Sequence, residues 1–371
     1  MSELSVYAEF LQKLNIVRFD IQCQSYECVL GHIEVQVTKP NILKLIYDNN
    51  EFHTIILNDL ELDIESITNF RKNDKLISFN LKGSLNKKSV NPQCKCSKNI
   101  GNKLKNSLSL CCSFCCSIIA NTKQIAKIKT EISKNNQLEE IFFCHGNEEK
   151  LTDISLEISE CVVHGLEFSI NKILLTNDNI TTDKKILSCF RCQKTFGRLD
   201  TMANNQLKLY STELLARLPK YDVDGDIVDE ENAVLCASGV EICHLIVSEI
   251  TSQEATRVLL IGIHENKLIN VALLWNLQQI FSAYRGKIGF GSMGSDQNIE
   301  RENRYRLLCL PNRDDNFQAQ LDTWNRDMQV YHVLAPHEAC MSFVNALLDS
   351  RSEGASLDGF IPCSVCLDGC C

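Results

Sequence analysis

Two Cys-x-x-Cys pairs carry the most chemistry in this sequence, Cys112-Ser-Phe-Cys115 and Cys189-Phe-Arg-Cys192, with 73 residues between Cys115 and Cys189. Thiolates spaced this way can share one tetrahedral Zn²⁺ through Zn–S bonds of about 2.3 Å. Each pair is followed by a short β-like run, Ile118-Ile119 and Thr195-Phe196-Gly197, as knuckle hairpins usually are. The four cysteines are therefore expected to hold one structural zinc. Reduced core thiols and a disulfide are the alternatives. Cys144-His145 is a second candidate, either a nucleophile beside a base or a sulfur and nitrogen donor set for a transition metal. A free thiol at a strand end also packs as a small hydrophobe. Cys161-Val-Val-His164 reads as core, and Cys363, Cys366, Cys370 and Cys371 as a mobile reactive tail.

Other motifs fail on position or context. Asp222-Val-Asp-Gly-Asp226 resembles the start of a calcium loop, but Ile227 and Ala233 stand where an EF-hand needs Gly and Glu. Gly289-Phe-Gly291-Ser-Met-Gly294 spells a dinucleotide fingerprint, yet polar residues follow it rather than an apolar-periodic helix. There is no phosphate-binding Gly-x-x-x-x-Gly-Lys-Ser/Thr loop and no His-Glu-x-x-His.

Composition bounds the rest. The chain has 371 residues, 44% apolar and 23% charged, enough for two or three globular domains. A net charge of −9 argues against general nucleic-acid binding. Seven lysines and no acid between Ile77 and Leu110 read as a solvated loop. No run of about 18 apolar residues suggests a membrane span, and the N-terminus lacks the basic and apolar regions of a signal peptide. Twenty cysteines then point to metal-bound or reduced thiols in cytoplasm or nucleus. That compartment makes the Asn179-Ile-Thr181 sequon incidental.

The first half reads as strands at Asn15–Gln22, Gly31–Thr38, Leu43–Tyr47, Phe52–Leu57 and Leu76–Leu81, then Gln124–Thr130, Glu139–Phe143 and Leu166–Leu175. Beyond Asp200 the pattern changes. Asp222–Glu231 is an acidic loop. Cys236, Val240, Cys243, Val247 and Ile250 recur at helical spacing, which predicts a helix over Ala233–Ile250. Strands follow at Arg257–Ile263 and Leu268–Leu277, a Gly-rich loop at Gly286–Gly294, and a helix at His337–Asp349 behind Pro336. The expected fold is α+β. A zinc-stapled β-rich lobe spans residues 1–200, strands and amphipathic helices form a lobe over 201–352, and a flexible Cys-rich tail covers 353–371.

With these residues laid out, the chain resembles the HECT-like ubiquitin-protein ligase family that binds the cyclin-selective ubiquitin-conjugating enzyme. Cys112-Ser-Phe-Cys115 with Ile118-Ile119 resembles the family's first turn. Phe143-Cys144-His145 resembles its Trp-Cys-Cys-His element, with Phe for Trp and one Cys replaced. Cys189 to Gly197 is similar to its second Cys-x-x-Cys with a trailing glycine. Val271-Ala-Leu-Leu-Trp275 is similar to its Leu-Leu-Trp strand, and Trp324–Asp327, Val330, Leu334, Pro336 and Cys340 match its last segment. The resemblance implies transfer of ubiquitin from a conjugating enzyme to the ligase's own lysines or to a cyclin-type substrate. It places the conjugating-enzyme contact near Ala233–Ile250 and makes Cys144 and His145 the candidate catalytic pair. The family is also similar to factors that hold the zinc-dependent endonuclease of pre-mRNA 3′-end processing. That likeness implies a non-catalytic chaperone whose Cys144-His145 ligates the nuclease.

Overall fold

The computed structural model describes residues 3–11, 14–23, 34–46, 52–57, 59–63, 66–73, 75–85, 96–129, 156–183, 185–200, 205–236, 239–253, 255–265, 267–289, 296–299, 301–326, 329–351 and 358–368. Among these the fold is α+β, mostly sheet, with four α-helices. Two compact units are formed: Met1–Pro92 with Gln279–Tyr305 and Cys366–Asp368, and Gln93–Gln278 with Arg306–Val365 and Gly369–Cys371.

The first unit holds β1 (Glu3–Leu11), β2 (Ile16–Cys23), β3 (Glu34–Lys39), β4 (Ile42–Ile46), β5 (Phe52–Leu57), β6 (Leu60–Leu62), β7 (Thr68–Lys72) and β8 (Leu76–Leu85). β1 and β2 pair antiparallel from Leu4↔Cys23 to Leu11↔Ile16, and β2 pairs β8. Strict alternation turns Val17, Phe19 and Ile21 of β2 and Ile77, Phe79 and Leu81 of β8 inward. Phe19 stacks on Phe79 at 4.9 Å. β3, β4 and β5 form a meander on the same principle.

The second unit opens with α1 (Cys96–Asn106). Its strands are β9 (Ser109–Cys112), β10 (Ile118–Asn121), β11 (Lys127–Lys129), β12 (Glu160–His164), β13 (Glu167–Asn171), β14 (Ile180–Asp183), β15 (Ile186–Cys189), β16 (Thr195–Leu199), β17 (Gln206–Tyr210), β18 (Leu214–Tyr221) and β19 (Ile227–Val234). They make a four-stranded sheet, β10-β9-β18-β19, and a seven-stranded one, β11-β12-β13-β17-β16-β15-β14. Next come α2 (Gly239–Ser252), β20 (Arg257–His264) and β21 (Lys267–Gly289), whose residues from Gln279 on belong to the first unit, as do β22 (Asp296–Ile299) and the start of β23 (Arg301–Pro311) up to Tyr305. α3 (Phe317–Trp324), β24 (Val330–Pro336), α4 (His337–Asp349) and β25 (Ile361–Cys366) complete the order. β20 lies between antiparallel β21 and parallel β24. α4 buries Ala339, Cys340, Phe343, Val344 and Leu347, one helical face by spacing.

Five expectations change. The lysine run is not all loop: α1 buries Cys96, Ile100 and Leu104 at four-residue spacing and exposes Lys98 and Lys105, while the half-buried Lys103 donates to Val234 O at 2.7 Å. Asp222–Glu231 is not a loop but the turn and outer strand of the β18–β19 hairpin. The helix expected over Ala233–Ile250 starts at Gly239, because Ala233 and Val234 still pair with Ala216 and Leu215. The tail at 353–371 carries β25 with Cys363 buried, so its pleat, not flexibility, sets that thiol's environment. Gly286–Gly289 belongs to β21, and the remainder of that glycine loop lies outside the described residues. So does the strand expected at Glu139–Phe143.

Candidate metal centre

Each Cys-x-x-Cys forms the turn of a hairpin, and the two turns are built alike. In the first, joining β9 to β10, Cys116 N donates to Cys112 O at 3.0 Å and Cys112 N to Ser117 O at 2.9 Å. In the second, joining β15 to β16, Gln193 N donates to Cys189 O at 2.8 Å and Cys189 N to Lys194 O at 2.9 Å. The residue after the second cysteine is left-handed in both, with φ of 58° at Cys116 and 60° at Gln193. That kink brings both sulfurs of a pair to one side of the turn. Gly197 also has a reason. A Cβ there would sit 2.5 Å from Lys208 O, so only glycine lets β16 lie against β17.

The two turns present their sulfurs to one another. Cys112 Sγ lies 3.5 Å from Cys192 Sγ, and Cys115 Sγ lies 3.5 Å from Cys189 Sγ. All four sulfurs fall within 4.8 Å of one another. Tetrahedral sulfurs bonded at about 2.3 Å have edges of about 3.8 Å, so the set fits a single ion. A disulfide needs about 2.05 Å, which none of these contacts approaches. Cys112 and Cys189 are buried, Cys115 and Cys192 half-buried.

The protonation pattern follows the surroundings. Burial pushes Cys112 up to about 12. At Cys115 the upward push of burial is outweighed by the hydroxyl and amide of Ser117 and by the neighbouring sulfurs, which bring it down to about 6. Ser117 Oγ stands 3.3 Å from Cys115 Sγ. Cys115 is the sulfur brought towards the thiolate, whereas a cation would have to displace the protons of Cys112 and Cys192, both raised by burial.

Two residues outside the cysteine motifs hold the turns together. Asn179 donates its side-chain amide to Ile118 O behind the first turn at 2.8 Å, and its carbonyl accepts from Phe190 N in the second at 2.8 Å. This is the asparagine of the sequon, and its half-exposed amide is engaged by Ile118 O. Glu213 does the same from the other side. Its carbonyl accepts from Ser113 N at 3.0 Å, and its buried carboxylate faces Lys194 Nζ at 3.1 Å. Lys194 also reaches Glu338 of α4 at 3.2 Å. Nothing local marks Asn179 or Glu213 as a bridge between turns; that role exists only once the two hairpins meet.

Cys144 and His145 lie outside the described residues. Cys161 and His164 sit on β12, where burial pushes the thiol up to about 12 and the imidazole down. Cys340 and Cys363 are also pushed up to about 12 by burial, and Cys309 upward likewise. None of these buried thiols offers an accessible thiolate. The segment expected to meet a conjugating enzyme turns Cys243, His244, Leu245, Ile246, Val247, Glu249 and Ile250 of α2 inward. Val240, expected in that buried stripe, is exposed. No described helix is long and apolar enough to cross a membrane.

Residues 9–353 match a family model described as HECT-like Ubiquitin-conjugating enzyme (E2)-binding. No curated protein and no solved structure matches the chain.

Proposed function

The chain belongs to the HECT-like ubiquitin-conjugating enzyme (E2)-binding family, and from that premise we propose that it is a ubiquitin-protein ligase that receives ubiquitin from such an enzyme. The carrying observation is the extent of the match, residues 9–353. In this reading Cys112, Cys115, Cys189 and Cys192 hold one structural Zn²⁺, and the chemistry belongs to Cys144 with His145. The thiolate of Cys144 attacks the thioester carbonyl at the ubiquitin C-terminus, and the conjugating enzyme's cysteine leaves as thiolate. A lysine amine then attacks the new thioester. Cys144 leaves, an amide forms, and the amine's proton passes to His145. The high-pKa, buried thiols elsewhere in the second unit support giving this step to Cys144 rather than to Cys161, Cys309, Cys340 or Cys363.

A charged conjugating enzyme mixed with the full chain should give a ubiquitin adduct that reducing agent removes and Cys144→Ser abolishes. The adaptor reading makes the opposite forecast. If no conjugating enzyme yields an adduct while Cys144→Ala ends binding to the 3′-end-processing endonuclease, the protein is a chaperone and Cys144 a ligand.

A further inference from the structure

The outer part of the β18–β19 hairpin exposes four large hydrophobic side chains within eight residues, Tyr221, Val223, Ile227 and Val228. β9 pairs β18 only from Leu214 to Arg217. From Leu218 outward, β18 and β19 pair with each other and, among the described residues, with no other strand. Every residue from Lys220 to Asn232 is exposed. Tyr221 is 61% exposed, Val223 102%, Ile227 51% and Val228 63%. Tyr221 and Ile227 stand opposite each other, an aromatic and β-branched pair of the kind that stabilises a sheet face, here left exposed among the described residues. Open strand edges beside uncovered apolar side chains are surfaces that proteins keep for partners.

Charge specifies which partner. Six acids and no base stand between Asp222 and Glu231. Glu230 meets Arg217 and Glu231 meets Lys220, each at 3.3 Å. Asp222 Oδ1 closes the turn by accepting from Asp224 N and Asp226 N at 3.0 and 2.9 Å. Asp224, Asp226 and Asp229 remain exposed beside the apolar residues.

We propose that this ribbon is the docking arm for the ubiquitin-conjugating enzyme, and that it takes a basic face of that enzyme carrying apolar residues. The inference rests on the family reading above and moves the contact from helix α2, whose apolar side is spent on the core, to the strand just before it. The tyrosine supplies a large contact at low entropy cost, and the acids steer and orient the partner.

The test uses the full chain and a panel of purified conjugating enzymes, with affinity measured by calorimetry. Two variants are compared with wild type: Tyr221→Ser/Val223→Ser/Ile227→Ser/Val228→Ser and Asp224→Lys/Asp226→Lys/Asp229→Lys. Wild type should bind at least one enzyme, more weakly as salt rises, and each variant should bind about thirtyfold more weakly or worse. Metal content and thermal midpoint should stay unchanged, since the ribbon lies outside the core. If wild type binds and both variants bind equally well, the arm is elsewhere and the family reading stands. If wild type binds no enzyme of the panel, the reading itself fails and the arm with it. If the variants lose only self-association, the ribbon joins copies of this chain and the proposal is overturned.

Discussion

β18 has two ends that live under different rules. At Leu214 it pairs with Cys112, a candidate ligand, and the turn just before it carries Glu213, which touches both cysteine turns. Seven residues on, at Tyr221, it is exposed and has a single partner strand among the described residues. Composition does not separate the ends, since both mix apolar and charged residues. The number of independent constraints per residue does. The inner end answers to a sheet, four sulfurs, a buried ion pair and two left-handed residues, whereas the outer end answers to one ladder and two surface ion pairs. A substitution should therefore cost far more at the inner end than at the outer one.

The harshest test removes a ligand. One equivalent of zinc should survive dialysis of the wild-type chain, and Cys112→Ser or Cys189→Ser should release it. Because structural zinc sites contribute folding energy outright, the thermal midpoint should fall by on the order of 10 °C, at about 2–4 °C per kcal/mol for a unit this large. Full metal retention in both variants would dissolve the contrast. A smaller cost is expected from Lys194→Met, which leaves the Glu213 carboxylate buried without its cation, at about 3 kcal/mol in denaturant unfolding. Adding Glu213→Leu should return much of that loss, which a purely steric role for Lys194 does not predict. Gln193→Val places a β-branched residue at a φ of 60° and should cost about 1–2 kcal/mol, read the same way. Smallest of all, Lys220→Ala breaks an exposed pair on the ribbon and should cost less than about 0.5 kcal/mol. A larger loss there would mean that the ribbon is tied into the core after all.

The same contrast explains what could be read from the sequence. The cysteine turns were legible because each motif carries two ligands, their spacing and the hairpin in ten residues. The helix at His337–Asp349 was legible because a proline start and one apolar stripe agree. Failures came where composition outweighed spacing. Lysines hid the Cys96, Ile100, Leu104 face of α1, and aspartates hid a hairpin that Asp224-Gly225 between β-branched residues announces. Asn179 and Glu213 were beyond reach, since a bridge between two hairpins has no signature in either. The candidate catalytic pair, Cys144 and His145, falls outside the described residues, so the sequence remains the basis for its assignment.

The placement of the four sulfurs also sets a schedule. The first pair leaves the ribosome 73 residues before the second begins, and at about 5–20 residues per second that interval lasts roughly 4–15 s. Over that time Cys112 and Cys115 have neither their partner sulfurs nor the Asn179 and Glu213 bridges. When Cys192 arrives, joining the turns closes a long loop at a chain-entropy cost of about 4 kcal/mol, which the metal–sulfur bonds must offset, so the staple forms late and in one step. Newly made chains depend on a reducing surrounding during that window, and an oxidant should harm the protein most while it is being synthesised.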